Sequence, residues 1–555
     1  MESRGGGATI STAAATVSRR KRWFAPTLAG YGTGWIAPDL IAGLSAGAVV
    51  IPQAMAYATI ANMPVQIGLY TCMVPMVVYV LLGGSKAMSV STTSTIATLT
   101  ATTLVAAGVA GGSAQAERDL VTLTFLVGVI LILGRLLRLG SLIESINPAT
   151  LIGIKVGVGA TVAVGQLPKL LGVDTDFSGH GFIRSLVSTV EALPEANLAT
   201  VLLSVASIAV LVLFGRFAPR VPGQLIVVVG GILLAAYTGI TDAGVRLIPP
   251  VPEGIPAPTM PTFQDVGALV PGALAIAVMA FLESAAVARA LRQGGEPQVD
   301  SNRELFATGV ANLAGSFFYS LPPAGGFSQS AINQRAGARS QLASLVTAVL
   351  AVLVALFLAP VLSNLPQATL AAMVFVAVFA LIDIPGMVRL ARLDSREFWI
   401  SLVTAVIGLT VGLLAAVAAG VLLTLFTVLH ELNRQRVSGS EPFPGGIVIS
   451  LFGGLYSANV LRTLETIEGL AADAAPIRYA LLDASPLRLT SVAVVDALTD
   501  LDGDLAATGV EFHIAGLPEG ALEIAGKMAW WKGLVEAGRV HPDVAEAIAE
   551  LSARS

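Results

Sequence analysis

Apolar residues fill residues 31–437 in stretches of about 20, the length at which a helix crosses the hydrocarbon core of a bilayer. The stretches are rich in Leu, Val, Ala and Ile and poor in aromatic residues, which favours helices over a β-barrel. Charged residues fall mostly between the stretches. We predict 14 transmembrane helices, at 38–60, 66–83, 89–108, 119–136, 143–168, 197–218, 223–240, 269–291, 304–320, 327–336, 339–360, 365–383, 395–415 and 416–435.

Composition agrees with this pattern and excludes several classes of protein. The chain is 55% hydrophobic and 12% charged, whereas a soluble chain carries about 25% charged residues. The single cysteine, Cys72, excludes an internal disulfide and a cysteine-rich metal site. The four histidines supply no catalytic set, and no GxxxxGK[ST] motif occurs. We therefore expect a membrane protein without a cofactor, which is neither an enzyme nor driven by ATP.

Basic residues follow the even-numbered spans and are scattered after the odd-numbered ones. With the N-terminus inside the cell, the even loops are cytoplasmic, as the positive-inside rule requires. We expect a multi-pass protein of the inner (plasma) membrane with both termini in the cytoplasm. Residues 1–30 are predicted to be a disordered cytoplasmic arm. The basic clusters lie at Arg19–Arg22, Lys86, Arg135 and Arg138, Arg216 and Arg220, Arg289, Arg292 and Arg303, Arg335 and Arg339, Arg389, Arg392 and Arg396, and Arg434 and Arg436.

Residues 438–555 differ from the rest in both charge and pattern. Residues 440–555 hold 16 acidic and 7 basic side chains, whereas the remainder of the chain holds 20 and 25. Short strand-like runs alternate with amphipathic helical runs, which predicts a small cytoplasmic α/β domain. Within it "GGIVISLFGGLY" is predicted to form a hairpin. The acidic balance argues against binding to nucleic acid.

Two polar breaks interrupt the apolar pattern at matching places. "GGSKAMSVSTTSTIATLT" (83–100) opens the third predicted span and "LPPAGGFSQSAIN" (321–333) opens the tenth. Fourteen spans divide into two halves of seven, and because seven is odd the second half inserts upside down. Inverted repeats with interrupted helices in matching positions are typical of secondary transporters.

A helix that starts in mid-membrane leaves its first N–H groups unpaired, and its dipole adds positive potential there. Such ends attract anions, and hydroxyl groups beside them can donate to the ligand. We therefore predict an anion site between the two breaks. Its candidate residues are Ser91, Thr92 and Thr93 in the first break and Gly326, Phe327, Ser328, Gln329 and Ser330 in the second.

Glu283 is the only charged residue in "LVPGALAIAVMAFLESAAVA" (269–288), inside the eighth span. A carboxylate in the membrane is expensive and is by default a functional candidate. We assign it to proton coupling. In the first span, Gln53 and Tyr57 are four residues apart and share a helix face, which makes them candidates for a pocket wall. Pro52 is expected to break that helix and free a carbonyl.

Four segments resemble the signatures of the SulP family of anion transporters: "IPQAMAYATIANMPVQIGLY", "MAFLESAAVARAL", "NRELFATGVANLAGSFF" and "GGFSQSAINQRAG". The C-terminal region resembles a STAS domain. The resemblance implies two inverted repeats of seven helices, with a core (spans 1–4 and 8–11) that moves against a gate (5–7 and 12–14), usually in a homodimer. Members move sulfate, bicarbonate, chloride, oxalate or dicarboxylates. By motif, Gln53, Tyr57, Phe327 and Ser328 match the substrate pocket of the family.

The same resemblance also shows departures. Members usually have Gly-Pro where this chain has Ser91-Thr92-Thr93, and many have Arg where it has Gln329. Thr490-Ser491 stands where phosphorylatable STAS proteins have Asp-Ser. Besides proton-coupled anion symport by an elevator-like movement, two alternatives remain open. One is a passive anion exchanger or channel, and the other is a nucleobase transporter of the same architecture.

Overall fold

The long apolar runs form α-helices, in which each segment satisfies its own backbone hydrogen bonds, as lipid requires. The computed structural model describes residues 24–554, apart from 110, 139, 141–147, 174–180, 219–220, 293–297, 380–381, 412, 433–436, 458 and 488–490. Most of the predicted N-terminal arm, Arg220, Arg434, Arg436 and Thr490 therefore lie outside the described residues. The chain divides into two compact units, residues 1–424 and 425–555. The predicted domain boundary at 437/438 stays a prediction.

Where the structure describes it, the first unit is helical apart from two very short strands. Eight helical segments in the described residues are long and apolar enough to cross a membrane. The elements are α1 (Ile36–Ile60), α2 (Val65–Thr71), α3 (Val74–Leu82), β1 (Val90–Ser91), α4 (Ser94–Ala106), α5 (Ala114–Leu136), α6 (Pro148–Leu171), α7 (Gly181–Glu191), α8 (Leu198–Phe217), α9 (Gly223–Tyr237), α10 (Val266–Ala290), α11 (Ser301–Ser316), β2 (Ala324–Gly325), α12 (Phe327–Arg335), α13 (Leu342–Leu353), a π-helical turn (Val354–Leu358), α14 (Ala359–Leu362), α15 (Gln367–Phe379), α16 (Ile384–Leu393), α17 (Ser395–Thr410) and α18 (Leu413–Leu432).

These helices pack as two sets. In the first set α5 packs along α11 and α10, α1 along α13 and α12, and α10 along α4. In the second set α6 packs along α17 and α15, and α8 along α15 and α9. The sets correspond to predicted spans 1–4 with 8–11 and to spans 5–7 with 12–14, which is the expected division into core and gate. They meet where α1 contacts α15 and α9 and where α4 contacts α6.

The second span is present as an apolar helical segment at Val65–Leu82, which divides into α2 and α3 where Met73 leaves the helical region (φ −100°, ψ −93°) just ahead of Pro75. One local expectation is wrong, because α1 runs through Pro52 without a break. The predicted spans also omit α7, which buries Ser185 and Thr189 and exposes apolar residues such as Val187. A helix with its apolar face outward suits the lipid interface, and its short apolar run falls below the length of a span.

The second unit is a mixed five-stranded sheet with helices, as the alternating pattern predicts. The strand order is β3-β4-β5-β6-β7, in which the first pair is antiparallel and the others are parallel. Its elements are β3 (Val437–Phe443), β4 (Gly446–Leu451), α19 (Val460–Asp473), β5 (Tyr479–Asp483), α20 (Val492–Ala507), β6 (Glu511–Ala515), α21 (Glu519–Ala525), α22 (Ala529–Glu536), β7 (Val540–His541) and α23 (Val544–Arg554).

The hairpin of this unit lies earlier in the chain than predicted. "GIVISL" is its second strand, and the turn, at Pro444-Gly445, lies at the start of the predicted segment. Gly445 has a φ of +74°, a conformation that glycine adopts readily. Beyond the hairpin, strands and helices alternate along the chain up to the last helix, α23, as the pattern of this region predicts.

Two buried histidines join the last strands of this sheet. His513 Nδ1 lies 3.0 Å from His541 Nε2, so one of the two nitrogens must lack a proton for a hydrogen bond to form. His541 Nδ1 faces Glu550 at 3.3 Å, and His513 Nε2 faces Glu511 at 3.6 Å. Burial, then the nearby charges of His541, Arg539 and Arg554, lower the pKa of His513 to about 4.

We predict that acid destabilises the second unit through His513. In the unfolded chain His513 takes up a proton near pH 6.5, but in the folded unit it does so only near pH 4. The unfolded state therefore binds more protons between these values, and the stability present above pH 6.5 falls as the pH drops through the window. The expected loss is about 1 to 3 kcal/mol. Pulse proteolysis of the full chain in urea, read from a C-terminal tag, measures it.

His513→Gln is the matched variant, because its amide can hydrogen bond but cannot titrate in this range. The variant should lose less stability than the wild type between pH 7 and pH 4. Equal slopes in the two proteins would contradict the assignment to His513.

Candidate functional site

The two polar breaks meet in the middle of the first unit. β1 and β2 pair antiparallel, with Val90 opposite Gly325 and Ser91 opposite Ala324. Gly326 N adds a hydrogen bond to Ser89 O at 3.2 Å. Segments that lie more than 230 positions apart in sequence thus form one small sheet, and both of its strands are buried.

A half-helix follows each strand. α4 begins at Ser94 with Thr93 as its N-cap, slightly later than predicted, and α12 begins at Phe327 with Gly326 as its N-cap. With 13 and 9 residues they are roughly 20 and 14 Å long, each shorter than the bilayer core. Because the strands are antiparallel, the helices run away from the sheet in opposite directions. Both amino ends, with their unpaired N–H groups and positive dipole ends, point back towards the strand pair.

Side chains from α12 and the segment after it hold the chain that leads into β1. Ser330 Oγ accepts from Ser89 N at 2.9 Å, and Asn333 Nδ2 donates to Ala87 O at 3.4 Å. Gln341 Nε2 donates to Ser85 O and to Met88 O, both at 2.7 Å. These bonds satisfy backbone N–H and C=O groups that lie outside any helix. Non-helical backbone at membrane depth requires such partners.

Residues of α10 and α11 hold the chain around β2. Ser284 Oγ accepts from Gly325 N at 2.9 Å, and Asn312 Nδ2 donates to Pro323 O at 3.0 Å. A Cβ on Gly325 would lie 3.1 Å from Ser284 Cα and 2.5 Å from Met88 Sδ. Glycine is therefore needed here for the close approach of the strand to α10.

The predicted carboxylate lies beside the start of α4. Thr93 Oγ1 donates to Glu283 Oε2 at 2.8 Å and accepts from Ile96 N at 3.3 Å. The capping hydroxyl thus links the carboxylate to the amino end of the half-helix. On α1, Gln53 Nε2 donates to the hydroxyl of Tyr57 at 2.7 Å, and Tyr57 also lies close to Ser94 and Glu283.

At the start of α12 two exposed residues are followed by two buried ones. Phe327 is 45% exposed and Ser328 is also exposed, whereas Gln329 and Ser330 are buried. Gln329 Oε1 accepts from Ser91 Oγ at 2.8 Å. Phe327 and Ser328 therefore present their side chains to an open space, while Gln329 and Ser330 tie α12 to the first break.

The structure thus brings all the predicted site residues to one place. Thr92 completes the group, with a buried hydroxyl that has no hydrogen-bond partner in the part of the chain that is described. Their role in binding stays a prediction. In the described residues no cluster of three or more His, Cys, Asp and Glu side chains suits a metal ion.

Residues absent from the sequence-based set also belong to this region. Ser284, Asn312 and Gln341 support the strands, and Lys155 on α6 places its Nζ 5.6 Å from the centre of the Phe327 ring. In the sequence, Ser284 and Asn312 are marked only by being polar residues in an apolar run. Lys155 is marked more clearly as a functional candidate, since it is a charged residue inside a predicted span.

A family model described as the sulfate permease family matches residues 36–404. The chain belongs to the sulfate permease family. It is 32% identical to a probable sulfate transporter of Mycobacterium tuberculosis over 512 residues, which are 87% of this chain and 90% of the relative. A chloroplastic sulfate transporter of Arabidopsis thaliana is 28% identical over 88% of this chain and 78% of its own. Membership confirms that the protein is an anion transporter and not an enzyme.

Solved structures agree with the fold of this sulfate permease family member. The murine solute carrier 26 member A9 anion transporter, in its inward-facing state, superposes with a TM-score of 0.87 and 22% identity over 95% of this chain and 94% of its own. The transmembrane domain of the cyanobacterial bicarbonate transporter BicA superposes with a TM-score of 0.62 and 22% identity, over 69% of this chain and 98% of its own. The multi-pass fold is confirmed, and the C-terminal sheet is consistent with a STAS domain.

We predict that Ser284→Ala destabilises the first unit by about 1 to 3 kcal/mol, because it leaves the buried Gly325 N–H without an acceptor. The midpoint of thermal unfolding of the detergent-solubilised protein measures the effect. Ser344→Ala is the matched control, since Ser344 is an equally buried serine whose Oγ has no partner among the described residues. The control should change stability little. Equal losses in both variants would refute the assigned role of Ser284.

Proposed function

We propose that the protein is a secondary active transporter of a small anion of the sulfate, bicarbonate or dicarboxylate class, working as a proton-coupled symporter by elevator-like alternating access. The anion would sit between the amino ends of α4 and α12. The observation that carries the proposal is the antiparallel pairing of β1 with β2, which turns two helix starts from opposite halves of the chain towards one point.

The physical case for an anion rests on unpaired donors. Each helix start offers backbone N–H groups and the positive end of a dipole, which stabilise negative charge most strongly where water is scarce. Phe327 and Ser328 are exposed beside these donors, so an apolar wall and a hydroxyl flank the site. Tyr57, bonded to Gln53, closes it from the side of α1.

The relatives narrow the choice of ligand. The mycobacterial and plant relatives are named as sulfate transporters, and one structural neighbour is named as a bicarbonate transporter. Sulfate and bicarbonate are therefore the first candidates. Gln329, which stands where many family members have arginine, leaves room for a carboxylate or a monovalent anion.

Glu283 supports coupling to protons. Its carboxylate is bonded to the hydroxyl that caps α4, so it lies at the edge of the proposed site. An ionised carboxylate repels a bound anion, and the repulsion is strong where the dielectric constant is low. Protonation removes it, so proton and anion would bind together and move together. The proposed setting is the plasma membrane, with both termini in the cytoplasm and the transporter in a homodimer.

A counterflow panel in proteoliposomes tests the substrate class. Liposomes are loaded with one unlabelled solute: sulfate, bicarbonate, chloride, oxalate, succinate, fumarate or uracil. They are then mixed with the labelled form of the same solute outside. We expect accumulation of sulfate or bicarbonate above that in protein-free liposomes, and none of uracil. Counterflow of uracil alone would favour the nucleobase alternative. Absence of counterflow for every anion would overturn the proposal.

We predict that Glu283→Gln removes the dependence of uptake on a proton gradient, because a glutamine cannot exchange a proton with the site. Wild-type uptake should rise several-fold with an inward gradient, whereas the variant should take up the anion equally with and without it. The initial rate of labelled uptake in proteoliposomes is the measurement.

Glu304→Gln is the matched control for coupling. Glu304 is another buried carboxylate of the same unit, and it accepts hydrogen bonds from the hydroxyl of Tyr79 at 2.7 Å and from Gly84 N at 3.1 Å. This variant should keep the gradient dependence even if its rate falls. If uptake by the Glu283 variant still follows the gradient, the residue does not couple protons and a passive exchanger becomes the better description.

A further inference from the structure

A single lysine projects towards the proposed site from the second set of helices. Lys155 lies on α6, and its Nζ is 5.6 Å from the centre of the ring of Phe327, the first residue of α12. A cation over an aromatic face at this distance is attracted to the ring. The contact joins α6 of the second set to α12 of the first, at the exposed side of the half-helix.

The ammonium group lacks a close counter-ion. No carboxylate in the described part of the chain lies within 4.0 Å of it. Glu283 interacts with it electrostatically, but only from a greater distance. A cation inside a membrane span is costly unless it is paired, and charged residues in spans are mostly functional. The face of Phe327 supplies part of the compensation, and a bound anion would supply the rest.

The surroundings fit this ligand. Ser328, next to Phe327, is exposed on the same open side, and the N–H groups at the start of α12 face the strand pair. The hydroxyl of Thr92 near the start of α4 is buried and has no hydrogen-bond partner among the described residues. The other half-helix therefore also offers a polar group that a ligand could bind. Uncharged donors dominate both helix starts.

We propose that Lys155 supplies the cationic group of the anion site and sets its preference for divalent over monovalent anions. The inference rests on the proposed function. Gln329 leaves the start of α12 without a cation, and Lys155 provides one from across the boundary between the two sets of helices. Because Coulomb attraction scales with the charge of the ligand, a dianion gains about twice as much from this lysine as a monoanion does.

Uptake by the full-length protein in proteoliposomes tests the inference, with labelled sulfate as substrate and chloride as competitor. We expect Lys155→Gln to raise the apparent KM for sulfate about tenfold and to weaken inhibition by chloride only about threefold, as the unequal Coulomb terms require. Lys155→Arg keeps the charge and should stay within about twofold of the wild type in both values.

Lys169→Gln is the matched control, because Lys169 lies on the same helix about four turns further along. Its KM for sulfate should not change. Size-exclusion profiles and thermal midpoints establish that all three variants are folded. The inference fails if Lys155→Gln leaves the KM unchanged, if Lys169→Gln raises it equally, or if Lys155→Arg loses as much as Lys155→Gln.

The outcomes separate the two proposals. A wild-type protein that takes up neither sulfate nor any other anion overturns the proposed function, and the role of Lys155 with it. A wild-type protein that takes up sulfate with Lys155→Gln unaffected overturns only the role of Lys155. Loss of sulfate and chloride binding to the same extent would show that the lysine does not discriminate by charge, and would refute the stated preference.

Discussion

The need to satisfy non-helical backbone at membrane depth governs this structure. Two segments must leave the helical conformation so that α4 and α12 can begin inside the unit, and lipid offers their N–H and C=O groups no partner. The chain solves this first by pairing β1 with β2, and then with a set of neutral side chains, Ser284, Asn312, Ser330, Asn333 and Gln341. Because these partners are uncharged, the segments are held without placing extra fixed charges in the site.

The charges that remain are few, and they are arranged around the half-helix starts. Glu283 is held by Thr93 at the amino end of α4, and Lys155 lies over Phe327 at the amino end of α12. A negative and a positive side chain therefore flank the two positive helix ends. The first residue can respond to protons and the second to the charge of the ligand, so coupling and selectivity would reside on different helices.

The order of the spans and the two breaks could be read from the sequence, because long apolar runs and clusters of Gly, Pro and Ser are local signals. The same signals predicted that α12 begins at Phe327. Ser284 could not be found in this way, since its bond to Gly325 depends on how α10 and β2 pack in space. The pairing of Ser91 with Ala324 likewise joins distant segments, and only the fold shows it.

Local signals also misled in identifiable ways. Pro52 predicted a break, yet tertiary packing keeps α1 continuous through it. The run "GGIVISLFGGLY" predicted a whole hairpin, whereas it contains only the second strand of the hairpin that turns at Gly445. Lys155, a charged residue within the predicted fifth span, carries the same kind of local signal as Glu283 in the eighth. The resemblance to SulP proteins supplied the roles of Gln53 and Tyr57, for which the spacing alone gave only a shared helix face.

The bond between Ser89 and Ser330 spans 241 residues of sequence, and this separation matters while the protein is being made. At translation rates of about 5 to 20 residues per second, the first break waits on the order of 10 to 50 seconds for its partners to emerge from the ribosome. During that interval its backbone groups have no protein donor or acceptor from the second half. Water or the insertion machinery must form hydrogen bonds with these groups. The first half can therefore insert into the membrane but cannot complete the site by itself. Completion of the site is therefore a late event in biogenesis.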